Sequence, residues 1–199
     1  SLPTRRSRVR PPLPAPKKKV IFVEKKTKNS FIKSKYLSNK HLNYFDVYDD
    51  LLKKYVDQEI VFVEVGILNG GSLFMWRDFF GPKARIIGID LNPEVKKFEK
   101  DGFEIFVGDQ EKPSFWKDFF KKVGKIDILL DDGGHTNNQQ IVTTQNCIEN
   151  INDNGLLIVE DTHASYMKEF GNPSQDSFVN YAKKNIDYIN YRFPNIGEI

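Results

Sequence analysis

Cysteine is almost absent from this 199-residue sequence. Cys147 is the only one, which excludes an internal disulfide and a thiolate metal cage and makes a reducing compartment, the cytoplasm, the expected location. Long apolar runs are also missing, since none approaches the roughly 20 residues that span a bilayer. The N-terminus lacks the apolar centre of a secretory signal. These absences predict a cytoplasmic protein without a transmembrane segment.

Acidic residues are scarce at the N-terminal end, and this divides the chain by charge. Residues 1–40 contain 13 Lys and Arg but only Glu24 as an acid, whereas the other 159 residues contain 17 basic and 26 acidic side chains. Residues 1–19 hold five of the ten prolines, and burial cannot offset the entropy of ordering such a segment. We predict a basic, proline-rich linker or tail at 1–40 and one domain at 41–199, with no nucleic-acid partner. A basic arm that binds polyanions is the alternative.

From residue 44 onward, short apolar runs alternate with stretches of helical periodicity. Runs rich in β-branched and aromatic residues predict five strands, at 60–65, 85–89, 103–107, 126–130 and 156–159. Apolar residues at helical spacing predict helices at 46–55, 72–80, 112–123, 137–150 and 177–190. The alternation predicts an α/β fold, a doubly wound and mostly parallel sheet. Such folds bind ligands at the carboxyl ends of the strands.

Three glycines, Gly66, Gly70 and Gly71, follow the first predicted strand. Glycine lets the backbone approach a ligand closely, and the amides at the start of the next helix can face that ligand. The spacing matches neither the dinucleotide pattern GxGxxG nor a P-loop, which needs Lys before Ser or Thr. A tight turn that requires small residues is the alternative, so this motif alone is weak evidence for a ligand.

Two acids end the second and third predicted strands. Asp90 lies 20 residues after Gly70, where a carboxylate can accept both hydroxyls of a ribose. Asp109 ends the next strand, beside the expected place of an adenine. Capping of the following helix is the alternative role of Asp90. Together with the glycine turn, the two acids predict a ligand that contains adenosine, without requiring the pyrophosphate of NAD.

Two acidic pairs end the last two predicted strands, Asp131–Asp132 and Glu160–Asp161. Four carboxylates in one region repel each other unless a cation is bound. Oxygen ligands favour Mg²⁺ or another hard cation over zinc. A single acid could instead cap a helix or pair with Lys or Arg. That alternative is weaker for four acids flanked by two histidines, His135 and His163.

Five groups of residues and one tyrosine together carry a family resemblance: 63–66, 70–73 with 76–77, 88–90, 131–135 (Asp-Asp-Gly-Gly-His), 160–163 (Glu-Asp-Thr-His) and Tyr166. They resemble bacterial sugar O-methyltransferases of the macrocin and mycinamicin type and related heptose methyltransferases of surface polysaccharides. The resemblance covers about residues 44–193, and the paired acidic motifs are its most specific part. It implies a Rossmann-like class I methyltransferase fold, S-adenosylmethionine and Mg²⁺ as cofactors, and a small-molecule or carrier-linked sugar as substrate.

The resemblance also implies roles for individual residues. The expected Mg²⁺ ligands are Asp132, Glu160 and Asp161. The expected general base is His135, since histidine takes up protons near neutral pH. The expected cofactor contacts are Glu64, Gly66, Asn69, Gly70, Ser72, Asp90, Asp109, Gln110 and Asp131, and the expected substrate contacts are His163 and Tyr166. His41 is expected to be an ordinary surface residue.

The sequence departs from the family in two places. Gly134 stands where the macrolide enzymes have Ser, a small change that should not remove the site. Class I methyltransferases usually end with a β-hairpin, but no convincing pair of strands follows residue 159, so we expect that hairpin to be abbreviated or missing. Two rival interpretations are a nicotinamide-dependent oxidoreductase, which would share the fold and Asp90, and a non-catalytic methyltransferase-like domain. Assembly into a homo-oligomer is left open.

Overall fold

A computed structural model describes residues 26–171 and 174–191 of the chain. The helices are Thr27–Lys33 (α1), Tyr44–Leu52 (α2), Gly71–Phe80 (α3), Pro113–Val123 (α4), Asn137–Cys147 (α5) and Phe178–Tyr191 (α6). The strands are Val61–Val65 (β1), Arg85–Asp90 (β2), Glu104–Val107 (β3), Ile126–Asp131 (β4) and Ile151–Val159 (β5). Short 3₁₀ helices lie at Lys53–Tyr55, Pro93–Asp101, Ile148–Asn150, Thr162–Tyr166 and Lys168–Phe170.

All five strands run parallel, in the order β3-β2-β1-β4-β5. The chain builds outward from β1 to β3, then returns to add β4 and β5 on the other side of β1. The reversal leaves a crevice between the carboxyl ends of β1 and β4, which is where doubly wound sheets bind ligands. The predicted α/β class with a parallel sheet is confirmed.

Side chains of β1 alternate between two buried clusters, one on each face of the sheet. Phe62 packs with Trp76 and Phe80 of α3, with ring centroids 5.0 and 5.1 Å apart. Its neighbour Val63 belongs to the opposite cluster, which contains Trp116 of α4. Burial on both faces explains why the first strand is an almost continuous apolar run in the sequence.

The packed domain begins before residue 41, because the described part of the N-terminal region docks on it. Thr27 donates from its Oγ1 to Asp49 Oδ1 of α2 at 2.8 Å, and Ser30 donates to Asp78 Oδ2 of α3 at 2.6 Å. Both small side chains are buried. Phe31 and Tyr36 add apolar contacts, with ring centroids 5.1 Å from Phe45 and 5.3 Å from Phe74. Residues 26–40 thus pack on the body of the chain, in a region where the sequence predicts a linker or tail. Residues 1–25 lie outside the described residues.

The C-terminal part contains one long helix after the sheet. Strand β5 starts at Ile151, earlier than predicted, because its first residue pairs with Ile126 across an irregularity in register. The predicted helix 177–190 corresponds to α6, and residues 174–191 contain no strand. Residues 172–173 and 192–199 lie outside the described part. Within the described residues, no helix has the length and apolar character that crossing a membrane requires.

Candidate active site

A cleft of about 520 Å³ opens at the carboxyl ends of the strands. One wall comes from the loops after the strands, and another from residues 37–40 of the N-terminal segment. Nine of the predicted site residues line it: Gly66, Asn69, Ser72, Asp90, Asp109, Gln110, Asp132, His135 and Asp161. The other six do not: Glu64, Gly70, Asp131, Glu160, His163 and Tyr166.

The glycine turn after β1 needs glycine for two separate reasons. Gly66 and Gly70 have φ angles of 82° and 75°, in the left-handed region that side chains disfavour. A Cβ atom at Gly66 would also lie 2.7 Å from the Cα of Gly133 and closer still to the carbonyl oxygen of Asp132. The turn therefore packs directly on the loop after β4, so Gly66 holds two site loops together as well as lining the cleft.

Asp90 organises the turn through backbone amides. Its Oδ2 accepts from the amides of Ile67 and Leu68, both at 3.0 Å, and its Oδ1 accepts from the Asn92 amide at 2.9 Å. The side chain still lines the cleft. The cap of the following helix is Asn92, whose side chain accepts from the Glu94 amide, so Asp90 does not have the alternative capping role. The Asp90 carboxylate is instead fixed by backbone amides at the place where a ribose is expected.

Gln110 and Asp131 form a buried link between the ends of β3 and β4. Gln110 donates from its Nε2 to Asp131 Oδ1 at 3.0 Å, while its Oε1 accepts from the Gly134 amide at 3.0 Å. Burial raises the pKa of Asp131 to about 6. These hydrogen bonds hold the loop 132–135 in place, and Gln110 also lines the cleft, whereas Asp131 does not.

His135 stands where the loop after β4 meets the loop after β5. Its backbone has a φ of 61°, which is uncommon for a residue with a side chain. Its Nε2 lies 3.5 Å from Asp161 Oδ2 and 4.0 Å from Asp132 Oδ1. Its Nδ1 is buried and has no hydrogen-bond partner among the described residues. The imidazole therefore faces both carboxylates at the edge of the cleft.

A buried ammonium group lies within the acidic cluster, by which we mean the carboxylates of Glu64, Asp132, Glu160 and Asp161. Lys40 Nζ donates to Asp132 Oδ2 at 2.7 Å and to the two oxygens of Glu160 at 3.0 and 3.2 Å. It also lies 3.4 Å from Glu64 Oε1, and the side chain is only 1% exposed. Burial by itself would lower the pKa of Lys40, but the three carboxylates outweigh that effect and raise it, so the group stays charged.

The two glutamates of the cluster face inward. Glu160 accepts a second hydrogen bond from the hydroxyl of Tyr48. Burial raises the pKa of Glu160 to about 7, against the opposing effect of the Lys40 charge. Glu64 is fully buried and accepts from Ser72 Oγ at 2.7 Å and Trp76 Nε1 at 3.2 Å. Glu64 thus supports the start of α3 from beneath instead of lining the cleft.

Asp161 faces both the cleft and a second cavity of about 260 Å³. Its Oδ1 accepts from the Tyr44 hydroxyl at 2.8 Å; burial, aided by this bond, raises the pKa of Tyr44 to about 12. Within the part of the chain that the structure describes, two sets of side chains offer ligand atoms within 4.8 Å of one another: Asp132–His135–Asp161 and His41–Asp161–His163. His41 and His163 are exposed, as is Tyr166, at 61%.

Sequence reasoning missed three residues that shape the acidic cluster: Lys40, Tyr44 and Tyr48. Lys40 was hidden by its lysine-rich surroundings, which are typical of a solvated segment. The two tyrosines lie four residues apart on α2, so one face of that helix presents both hydroxyls. That spacing was the only available signal. Nothing local indicated that this face would meet residues more than a hundred positions away.

Three exposed leucines also line the cleft without having been predicted. Leu37, Leu68 and Leu91 are 87%, 71% and 70% exposed. Large, exposed apolar side chains that line a cleft are typical of a ligand-binding surface. Leu68 lies in the glycine turn, and Leu91 directly follows Asp90. The sequence motifs therefore indicated the residues next to these leucines but not the leucines themselves.

No protein-family profile matches the chain. Among solved structures, the methyltransferase MycE from the mycinamycin biosynthetic pathway, in complex with Mg and SAH, aligns with 83% of this chain and 45% of its own length, with a TM-score of 0.73 and 24% identity. The fold is that of a class I methyltransferase. A MycE structure that also contains Mycinamycin VI gives the same TM-score of 0.73.

Curated relatives agree with the structural match. Demethylmacrocin O-methyltransferase of Streptomyces fradiae is 30% identical over 151 residues, which cover 71% of this chain and 38% of the relative. The 8-demethyl-8-alpha-L-rhamnosyl tetracenomycin-C 2'-O-methyltransferase of Streptomyces olivaceus is 26% identical over 158 residues, 74% of this chain and 41% of the relative. The predicted resemblance to macrocin-type and mycinamicin-type enzymes is confirmed. The chain spans less than half the length of these relatives.

Proposed function

We propose that this chain forms the cofactor-binding and catalytic part of an S-adenosylmethionine-dependent O-methyltransferase whose acceptor is a sugar hydroxyl. The relatives' names specify O-methylation, and one specifies a rhamnosyl group. The match to MycE bound to Mg and SAH supports the same cofactor and ion here. A carrier-linked sugar of polysaccharide biosynthesis as acceptor, and a cytoplasmic location, stay predictions from the sequence.

The observation that carries this proposal is that a single cleft joins two chemically different sides. Its adenosine side comprises Gly66, Leu68, Asp90, Leu91 and Asp109. Its acidic side comprises Lys40, Asp132, His135 and Asp161, which line the cleft, together with Glu160 behind them. With the adenosine of S-adenosylmethionine on the first side, the sulfonium of the cofactor would face the second side, where a hydroxyl could meet its methyl group.

The chain's own residues can support the transfer in a simple way. The acceptor oxygen attacks the methyl carbon, the carbon–sulfur bond breaks, and its electron pair stays on sulfur. His135 takes the hydroxyl proton at Nε2, and Asp161, 3.5 Å away, stabilises the resulting imidazolium. The remaining contribution is proximity, because both reactants must be held in line. The three exposed leucines that line the cleft, Leu37, Leu68 and Leu91, would exclude water from the adenosine.

The residues also suit a hard divalent cation in part. Carboxylate oxygens are the ligands that Mg²⁺ prefers, and Asp132 and Asp161 approach each other at the cleft. We propose that these two, with Glu160, hold the ion. When bound, it would polarise the acceptor hydroxyls and lower their pKa. Glu160 is occupied by Lys40 and Tyr48, so its availability depends on that ammonium.

Binding and transfer measurements test the proposal in sequence. Calorimetry with S-adenosylhomocysteine should show binding, whereas NAD should not compete, since no pyrophosphate loop is present. Transfer of a radiolabelled methyl group to candidate glycosides should require a divalent ion, so EDTA should abolish it and Mg²⁺ restore it. Full-rate transfer in EDTA would rule out the metal mechanism. Binding of NAD without S-adenosylhomocysteine would replace the proposal with the oxidoreductase interpretation.

A further inference from the structure

We propose that Lys40 is an internal cation that competes with a divalent ion for Asp132 and Glu160. On this view the acidic cluster alternates between two counter-ions, the ammonium of the chain itself and a metal. Loading the metal then requires withdrawal of Lys40 and of the segment that carries it. The inference rests on the proposed function only in taking the cluster as the metal site.

The contacts of Lys40 explain why the two cations exclude each other. The ammonium engages both oxygens of Glu160 and Oδ2 of Asp132, within 2.7–3.2 Å. The Tyr48 hydroxyl donates another hydrogen bond to the Glu160 carboxylate. A metal that used Glu160 as a ligand would need oxygens that now accept from Lys40. It would also place a double positive charge beside a buried ammonium, where little solvent screens the repulsion.

The charge balance of the cluster supports the same conclusion. Three carboxylates, Glu64, Asp132 and Glu160, surround a single ammonium that is 1% exposed. Burying ionised carboxylates without a counter-ion is costly, so a cation beside them stabilises their charged form. Lys40 meets that need when no metal is bound. Its removal should therefore weaken the metal-free protein and leave a stronger site for a metal.

Lys40 also connects the cluster to the wall of the cleft. Residues 38–40 line both the main cleft and the second cavity, so this segment separates the two. The segment rests on the start of α3, where Ser34 Oγ donates to the Gly71 carbonyl at 2.6 Å. A Cβ atom at Gly71 would lie 2.5 Å from the Tyr36 carbonyl oxygen. Withdrawal of Lys40 would therefore also move residues 38–40, which separate the two cavities.

The first test compares metal binding by wild type and Lys40→Met, with Mn²⁺ and Mg²⁺ as probes. Calorimetry should show that the variant binds Mn²⁺ at least about 10-fold more tightly, because the competing ammonium is gone. Without metal, the variant should unfold at a lower temperature than wild type, and added Mn²⁺ should raise that temperature more in the variant than in wild type. Equal or weaker metal binding by a folded variant would overturn the proposal.

Lys35→Met is the matched control. Lys35 lies on the same segment and has the same charge, but its Nζ is 3.5 Å from Asp101 and its side chain is 55% exposed. This variant should bind Mn²⁺ as wild type does. A gain as large as that of Lys40→Met would mean that general charge, not competition at the cluster, controls affinity, and would overturn the proposal.

A second measurement uses the wild-type chain, in case Lys40→Met does not fold. Hydrogen exchange of the amides of residues 34–40 should become faster when Mg²⁺ is added, because the metal displaces their anchor. Unchanged or slower exchange at saturating Mg²⁺ would overturn the proposal, as would a lack of metal binding in both proteins. None of these readouts needs methyl transfer. Failure of the proposed function would instead appear as absent S-adenosylhomocysteine binding or absent transfer.

Discussion

The adenosine side and the acidic side of the cleft use the same chemical group, a carboxylate, in different ways. On the adenosine side, Asp90 accepts from amides of the adjacent turn, and Asp109 accepts from the Glu111 amide two residues away. On the acidic side, Asp132 and Glu160 are held by Lys40, which is 92 and 120 residues distant in sequence. The first arrangement depends on backbone amides, at most 23 residues away in sequence, and the second on the side-chain charge of one much more distant residue.

This difference indicates which carboxylates of the site have fixed partners and which can exchange them. Backbone amides cannot leave a carboxylate without disturbing the turn, so the adenosine side is preformed. A lysine side chain can withdraw, so the acidic side can take another cation. Cofactor binding should therefore depend on the preformed side, whereas turnover should depend on the acidic side. The predictions below test that division.

The largest expected effect is at Gly66, where the two sides touch. Gly66→Val should destabilise the fold by about 3–5 kcal/mol, because it combines a positive φ with overlap against the loop after β4. Thermal unfolding and near-UV circular dichroism measure the loss. The sequence alone suggests that a bulky residue here blocks the cofactor without unfolding the chain, and the geometry argues against that view.

Gly102→Ala provides the control for this prediction. Gly102 has a similar φ of 86°, but a Cβ there would meet nothing within 4 Å. The control should cost only the conformational strain, about 1–2 kcal/mol. If both variants lose the same stability, the contact between the turn and the loop after β4 is unimportant, and the two sides are independent.

The next effect concerns the acidic side alone. His135→Ala should lower methyl transfer by about 10²–10⁴-fold, the usual contribution of a general base, while S-adenosylhomocysteine still binds. Steady-state turnover and calorimetry separate these two quantities. His163→Ala, at an exposed histidine outside the cleft, should change turnover much less. If the His135 variant bound S-adenosylhomocysteine more weakly but transferred methyl at the wild-type rate, His135 would serve cofactor binding and not turnover, contrary to the division proposed here.

How far the sequence predicts this molecule follows the same line between local and remote partners. Strands and helices from residue 44 onward were predictable because each is a continuous segment with its own periodicity. The motifs at the strand ends were predictable because parallel strands bring them to one edge. Helix α1 and Lys40 were not, since their contacts are with residues that only the folded chain brings near: Phe31 packs on Phe45, and Thr27, Ser30 and Lys40 make polar contacts. Polar contacts of that kind leave no periodic signal.

A smaller effect is expected on the adenosine side. Asp90→Ala should weaken S-adenosylmethionine binding by about 1–3 kcal/mol, because the ribose and the amides of the turn both lose an acceptor. It should also lower stability, since the amides of Ile67 and Leu68 lose their partner. Calorimetry and thermal unfolding give both values, and the exposed Asp153→Ala serves as control. Unchanged affinity together with reduced stability would restrict Asp90 to its structural role.

The smallest effect is expected from removing residues 1–19, in contrast to removing residues 1–33. The shorter deletion takes away a proline-rich and lysine-rich segment with little to bury, so the midpoint of thermal unfolding should stay within about 1 °C of the full chain. The longer one also removes α1, whose buried Thr27 and Ser30 bind acids on α2 and α3, so the midpoint should fall by several degrees. S-adenosylhomocysteine affinity should be unchanged by the first deletion. Salt-sensitive binding to polyanions, if the full chain shows any, should disappear with it, because seven of the 13 Lys and Arg of residues 1–40, and none of the acids, lie in the deleted segment. A fall of several degrees after the shorter deletion would place part of residues 1–19 on the body and move the beginning of the domain toward the N-terminus once more.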